Sequence, residues 1–131
     1  MKRFTEILSY TYGSAHGHRW VGEAEGVAWQ PLIDVCERPE AILIIAELPG
    51  VERDQIKVSV KHGVLRIAGF RKKLLPSDTQ RVHQMEIPYG PFARSVQLPA
   101  CSDVEHIEAD FHQGYLTVTV PRTRQNERDQ S

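Results

Sequence analysis

Two histidines one residue apart, His16 and His18, have the spacing best suited to gripping a metal ion in this 131-residue chain. No carboxylate or thiol stands near them at ligand spacing, so a solvated pair is the plainer reading. The remaining histidines, His62, His83, His106 and His112, are scattered. Cys36 and Cys101 lie far apart and form no CxxC, which argues against a redox motif or a zinc knuckle. They read as reduced, small packing residues, and nothing positive supports a bridge between them or between chains. Glu108 and Asp110 could be taken for paired acid–base carboxylates. They alternate with Ile107, Ala109 and Phe111, however, so they read as charges on the wet face of a strand. There is no GxxxxGK[ST] phosphate loop, no GxGxxG opening a helix, no GxSxG elbow and no HExxH. The sequence gives no warrant for catalysis, and no metal or cofactor is expected.

Charge excludes a further class. Sixteen Lys and Arg stand against 17 Asp and Glu, a formal charge of -1, without the basic excess of a dedicated nucleic-acid binder. Apolar residues at 40% and charged residues at 25% describe a chain able to bury a core without disulfides. The longest apolar run, Ala41 to Ala46, is too short for a bilayer span. No continuous apolar stretch follows Met1-Lys2-Arg3-Phe4-Thr5-Glu6, so no signal peptide is expected and the cytoplasm is the expected compartment.

The elements that position these residues divide into three stretches: an arm (1–30), a domain (31–121) and a polar tail (122–131). The arm interleaves Gly13, Gly17, Gly22 and Gly26 with Phe4, Tyr10, Tyr12, Trp20 and Trp29, and holds helical spacing only around Phe4, Ile7 and Leu8. It reads either as a flexible arm with apolar anchors or as a segment packed on the core. From Pro31 the pattern is strand, turn, strand. Strands are predicted over Leu32–Glu37, Ala41–Leu48, the alternating Ile56, Val58 and Val60, the stretch around Leu65 and Ile67, Phe92–Leu98, Ile107–Phe111 and Leu116–Val120. His62-Gly63 and Gln113-Gly114 are predicted tight turns. Short strands punctuated by Gly and Pro, with no long amphipathic helix, predict an all-β sandwich. In Ala41–Ala46 both faces are apolar: Ile42, Ile44 and Ala46 can enter the core, while Ala41, Leu43 and Ile45 need other cover. Arg71–Pro88 is long for a connection in a compact domain.

Three segments carry a family resemblance. Ala109-Asp110-Phe111-His112-Gln113-Gly114-Tyr115-Leu116-Thr117-Val118-Thr119-Val120-Pro121 resembles the A-x-x-x-x-G-x-L-x-V-x-V-P signature of the α-crystallin domain. Glu47-Leu48-Pro49-Gly50-Val51 is similar to the L-P-G-V turn of bacterial and plant members, and Gly90–Pro99 to the family's G-x-F-x-R-x-x-x-L-P. The three stand in family order, and the resemblance covers about Pro31 to Pro121. It implies an immunoglobulin-like β-sandwich of the small heat shock protein class, of bacterial type, whose members act as ATP-independent holding chaperones for non-native client proteins.

The resemblance also implies site residues. The long loop would carry a strand, Val82-His83-Gln84-Met85-Glu86, that pairs with the edge strand Leu32–Glu37 of a second copy, giving a homodimer by strand exchange. Leu32, Ile33, Val35, Val82, His83, Met85, Glu86 and Arg94 would lie at that interface. The alternative is a strand folded back on its own sheet. Arg94, on one strand face with Phe92, Val96 and Leu98, would need a carboxylate or carbonyl partner if that face is covered. A groove between two edge strands would be formed by Ile56, Val58 and Val60 with Val104, Ile107 and Ala109, although alternation alone makes these core residues. Client contact is expected from Phe4, Ile7, Leu8, Trp20 and Trp29. The tail Arg122–Ser131 has no aliphatic residue and so lacks the I-x-I plug of many members; dimers or small oligomers are therefore expected. A co-chaperone or adaptor resembling CS-domain proteins is the competing reading within the sandwich class, and the long loop counts against it.

Overall fold

A computed structural model describes residues 26–123; Phe4, Ile7, Leu8, His16, His18 and Trp20, and the tail from residue 124, lie outside the described residues. The strands are β1 (Ile33–Glu37), β2 (Ala41–Glu47), β3 (Ile56–Lys61), β4 (Val64–Arg71), β5 (Gly90–Gln97), β6 (Glu108–His112) and β7 (Tyr115–Pro121). They form two antiparallel sheets, ordered β1-β2-β7-β6 and β3-β4-β5, the predicted immunoglobulin-like sandwich. Six strands begin and end within two residues of their expected places, and β4 runs on to Arg71, four residues past Ile67.

The local chemistry accounts for the elements. β3 reads IKVSVK, with Ile56, Val58 and Val60 buried and Lys57 exposed, so its period of two aims one face between the sheets. Both predicted tight turns form. His62 and Gly63 have φ of 51° and 76°, and Gln113 and Gly114 have 52° and 83°. Positive φ at both central residues makes type I′ turns, whose twist matches that of the flanking strands. Pairing of Lys61 with Val64 and of His112 with Tyr115 closes the two hairpins.

The inward faces interdigitate into one core, in which Ile44, Val58, Ile67, Leu116 and Val118 keep no exposed surface. In β2 the expected division holds for Ile42, Ile44 and Ala46, which are buried; of the outward set, Ala41 is buried as well, while Leu43 and Ile45 remain half-exposed.

Residues 28–29 cover the free edge of β5 before the chain crosses to the other sheet. The Ala28 amide donates to the Pro91 carbonyl at 2.8 Å, and the Ala93 amide to the Trp29 carbonyl at 3.3 Å. Trp29 pairs in parallel with Phe92. The far edge of β1 has no neighbouring strand among the described residues.

Candidate functional site

The turn Leu48-Pro49-Gly50 is where the two sheets and the long loop are tied together. The Leu48 amide donates to the Gly114 carbonyl at 2.7 Å. A Cβ on Gly114 would stand 3.1 Å from the Pro49 Cα, so a glycine there serves both the turn's positive φ and the close approach of Pro49. Two of the motifs recognised in the sequence thus touch one another.

On its other side the turn meets Arg71, the last residue of β4 and the single buried charged side chain among the described residues, 6% exposed. The guanidinium donates from Nε (3.1 Å) and Nη2 (2.7 Å) to the Pro88 carbonyl, and from Nη1 to the Pro49 carbonyl at 3.1 Å. Its Cζ lies 4.1 Å from the centroid of the Trp29 ring, within cation–π range. The indole N–H donates to the Gly90 carbonyl at 3.2 Å, and the Trp29 and Phe92 rings lie 5.1 Å apart. One planar cation therefore clasps both ends of the loop 72–89, the turn at Pro49 and the segment entering β1. A planar fork of donors suits this task, since it reaches several carbonyls at fixed angles. Nothing in the sequence marked Arg71, because its partners are main-chain carbonyls far away along the chain.

Beyond the clasp nearly every residue of the loop is exposed. Val82, Met85 and Ile87 are about half exposed, and Leu74 is 59% exposed. Val82–Glu86 pairs with no strand among the described residues and is not itself a strand, so a fold-back onto the described sheets does not form. On β1, Leu32 is 70% exposed and Val35 51%, while Ile33 packs against the core. His83 and Glu86 are exposed. Arg94 is half-buried on the face of Phe92, and its Nη1 donates to the Pro31 carbonyl at 3.2 Å, the kind of partner its position demanded.

The groove residues sit where alternation puts them. Ile56, Val58, Val60, Ile107 and Ala109 are core residues, none more than 4% exposed. Val104, in a 3-10 turn (Val104–His106) that the sequence pattern did not announce, keeps part of its side chain outside. A shallow cleft of about 230 Å³ opens instead beside the Pro49 turn, lined by Gly50, Glu52, Gln55, Phe70 and Lys72. Trp29, expected as a client contact, is half-buried against Phe92 and Arg71.

Cys36 corrects another expectation: it is exposed on the outer face of an edge strand and does not pack, whereas Cys101 is half-buried; both are free thiols. Among the described residues no group of three or more His, Cys, Asp or Glu is placed to hold a metal. No described helix is long and apolar enough to cross a membrane.

Comparison with known proteins agrees with this geometry. Residues 34–131 match the model of the Hsp20/alpha crystallin family. Small heat shock protein C4 of Rickettsia felis is 29% identical over 123 residues, covering 94% of this chain and 71% of that protein. The 18.3 kDa class I heat shock protein of Oxybasis rubra is 41% identical over 91 residues, covering 69% of this chain; the chain spans 56% of that protein's length. Among solved structures, a small heat-shock protein from Xylella fastidiosa superposes with a TM-score of 0.68 at 33% identity, over 74% of this chain and 89% of that one. HspA from Xanthomonas axonopodis gives 0.66 at 34% identity, over 72% and 94%.

Proposed function

Because the chain belongs to the Hsp20/alpha crystallin family, we propose that it is an ATP-independent holding chaperone, one that covers the apolar surface of partly unfolded proteins before they meet one another. The observation that carries the reading is where its own exposed apolar side chains lie. Leu74, Val82, Met85 and Ile87 line the long loop, and Leu32 and Val35 lie at or in β1, whose outer edge has no neighbouring strand among the described residues. Exposed apolar side chains on a long loop and at an open strand edge are each the mark of an interaction surface.

In this reading the loop of one copy adds Val82–Glu86 as a strand to β1 of a second copy, satisfying main-chain groups that water otherwise serves. The Arg71 clasp holds the base of the loop and leaves its tip free to reach across. Phe4, Ile7, Leu8 and Trp20 supply the client contact, gaining about 25 cal/mol per Å² of apolar surface covered, less the cost of ordering both chains. Trp29 holds the root of that arm.

The test is light scattering from a heat-aggregating client with and without the protein, in the absence of ATP, on material sized by multi-angle scattering. Suppression by a dimer or small oligomer is the expected result. Full aggregation at several-fold chaperone excess refutes holding activity for this chain.

A further inference from the structure

The outward face of the sheet β1-β2-β7-β6 carries one sign of charge. Register and alternation assign it Asp34 and Cys36 from β1, Ala41, Leu43, Ile45 and Glu47 from β2, Tyr115, Thr117, Thr119 and Pro121 from β7, and Glu108, Asp110 and His112 from β6. It therefore holds four carboxylates and no lysine or arginine, although the whole chain is nearly neutral. The placement is ordered. One row across the sheet runs Asp34, Ile45, Thr117, Asp110, and the next runs Cys36, Leu43, Thr119, Glu108. Leu43 and Ile45, half-exposed, lie at the centre, with carboxylates on β1, on β6 and, through Glu47, at one end. Asp34, Glu47 and Asp110 make no ion pair among the described residues.

We propose that this face binds extended client segments in which an aliphatic residue is flanked by Lys or Arg two positions away on each side. The spacing fits such a ligand. Asp34 and Asp110 stand three strand spacings apart, about 14 Å, and residues i and i+4 of an extended chain are separated by about the same distance. In Lys-x-Leu-x-Lys the three named side chains face one way. The leucine meets Leu43 and Ile45 while each ammonium reaches a carboxylate at one rim. An acidic client segment meets the same face with like charge and is turned away. The non-native character of the partner rests on the holding reading; the charge preference rests on this face.

The experiment is an NMR titration of the full chain with the peptide Gly-Lys-Ser-Leu-Ser-Lys-Gly and, separately, with its Glu-for-Lys counterpart. The expected result is amide shifts concentrated at Ile45, Thr117 and their neighbours with the lysine peptide only, weakening as salt is raised. Each exposed ion pair is modest, so replacing both rim acids (Asp34→Lys with Asp110→Lys) should weaken binding roughly tenfold. Both positions lie on the sheet's outer surface, and an unchanged circular dichroism spectrum checks that the double variant folds. Equal shifts with the two peptides, no effect of the double variant, or shifts confined to β1 and the loop overturn the proposal. The two readings fail separately. Lysine-peptide binding by a chain that suppresses no aggregation sinks holding and keeps the face; aggregation suppression with charge-blind peptide binding does the reverse.

Discussion

Replacing Arg71 by methionine keeps much of the side-chain volume and removes the clasp. The guanidinium makes three hydrogen bonds to two carbonyls, those of Pro88 and Pro49, and lies against the Trp29 ring. Hydrogen bonds from a charged donor contribute about 1.5–3 kcal/mol each, but the freed carbonyls lie near the loop root where water can reach them, so roughly 1–2 kcal/mol per carbonyl is the fitting scale. The cation–π contact adds about 1 kcal/mol. Ordering the arginine side chain costs about 2 kcal/mol in the wild type and offsets part of this. The net loss is then about 1–3 kcal/mol. For a domain of this size each kcal/mol moves Tm by about 4–8 °C, so Tm should fall by about 5–20 °C. The assay is thermal unfolding at one fixed protein concentration, since self-association makes Tm depend on concentration. Arg71→Lys keeps the charge but not the planar fork, and should recover less than half of the loss. In a Trp20→Phe background Trp29 is the only indole, and its emission should shift to the red in Arg71→Met as ring and cation part. Amides at the loop base should also exchange faster with deuterium. A Tm within about 2 °C of wild type, with unshifted Trp29 emission, refutes the claim that this arginine holds the loop and the entry to β1 together.

A Cβ at Gly69 would lie 2.1 Å from the Gln55 carbonyl oxygen and 2.6 Å from Phe92 Cζ. Gly69→Ala should therefore cost about 3 kcal/mol or prevent folding, as urea denaturation will show. Gly114→Ala places a side chain at a φ of +83° and against Pro49, and should lose about 1–2 kcal/mol in the same assay. Val82→Asp with Met85→Asp puts charge on two loop residues, each about half exposed, and should give a monomer by multi-angle scattering with the sandwich intact by circular dichroism. Replacing Phe4, Ile7 and Leu8 by serine should cut client protection at least severalfold, as light scattering from the heat-aggregating client will show.

The sequence alone determined the strands, their inward faces and the two tight turns, because each depends on neighbours a few residues away. Ile56, Val58 and Val60 alternate with polar residues, and that period of two can hide one face only. His62-Gly63 and Gln113-Gly114 carry the positive φ a two-residue hairpin requires. The three motifs, read together, identified the family. The sequence also showed that both faces of β2 are apolar. What it left open was which groups meet across the fold. Arg71 sits one residue from the paired lysines Lys72 and Lys73 and resembles a surface cation; only the return of the chain at Pro88, the turn at Pro49 and the approach of Trp29 make it the buried centre of a clasp. Gly114 gains a second role from a proline more than sixty residues earlier. The carboxylates around Leu43 and Ile45 come from β1, β2 and β6, and form one face because β7 lies between β2 and β6 in the sheet. Strand order is settled by burial of the whole core at once, so a contact between distant segments has no local pattern from which it could have been read.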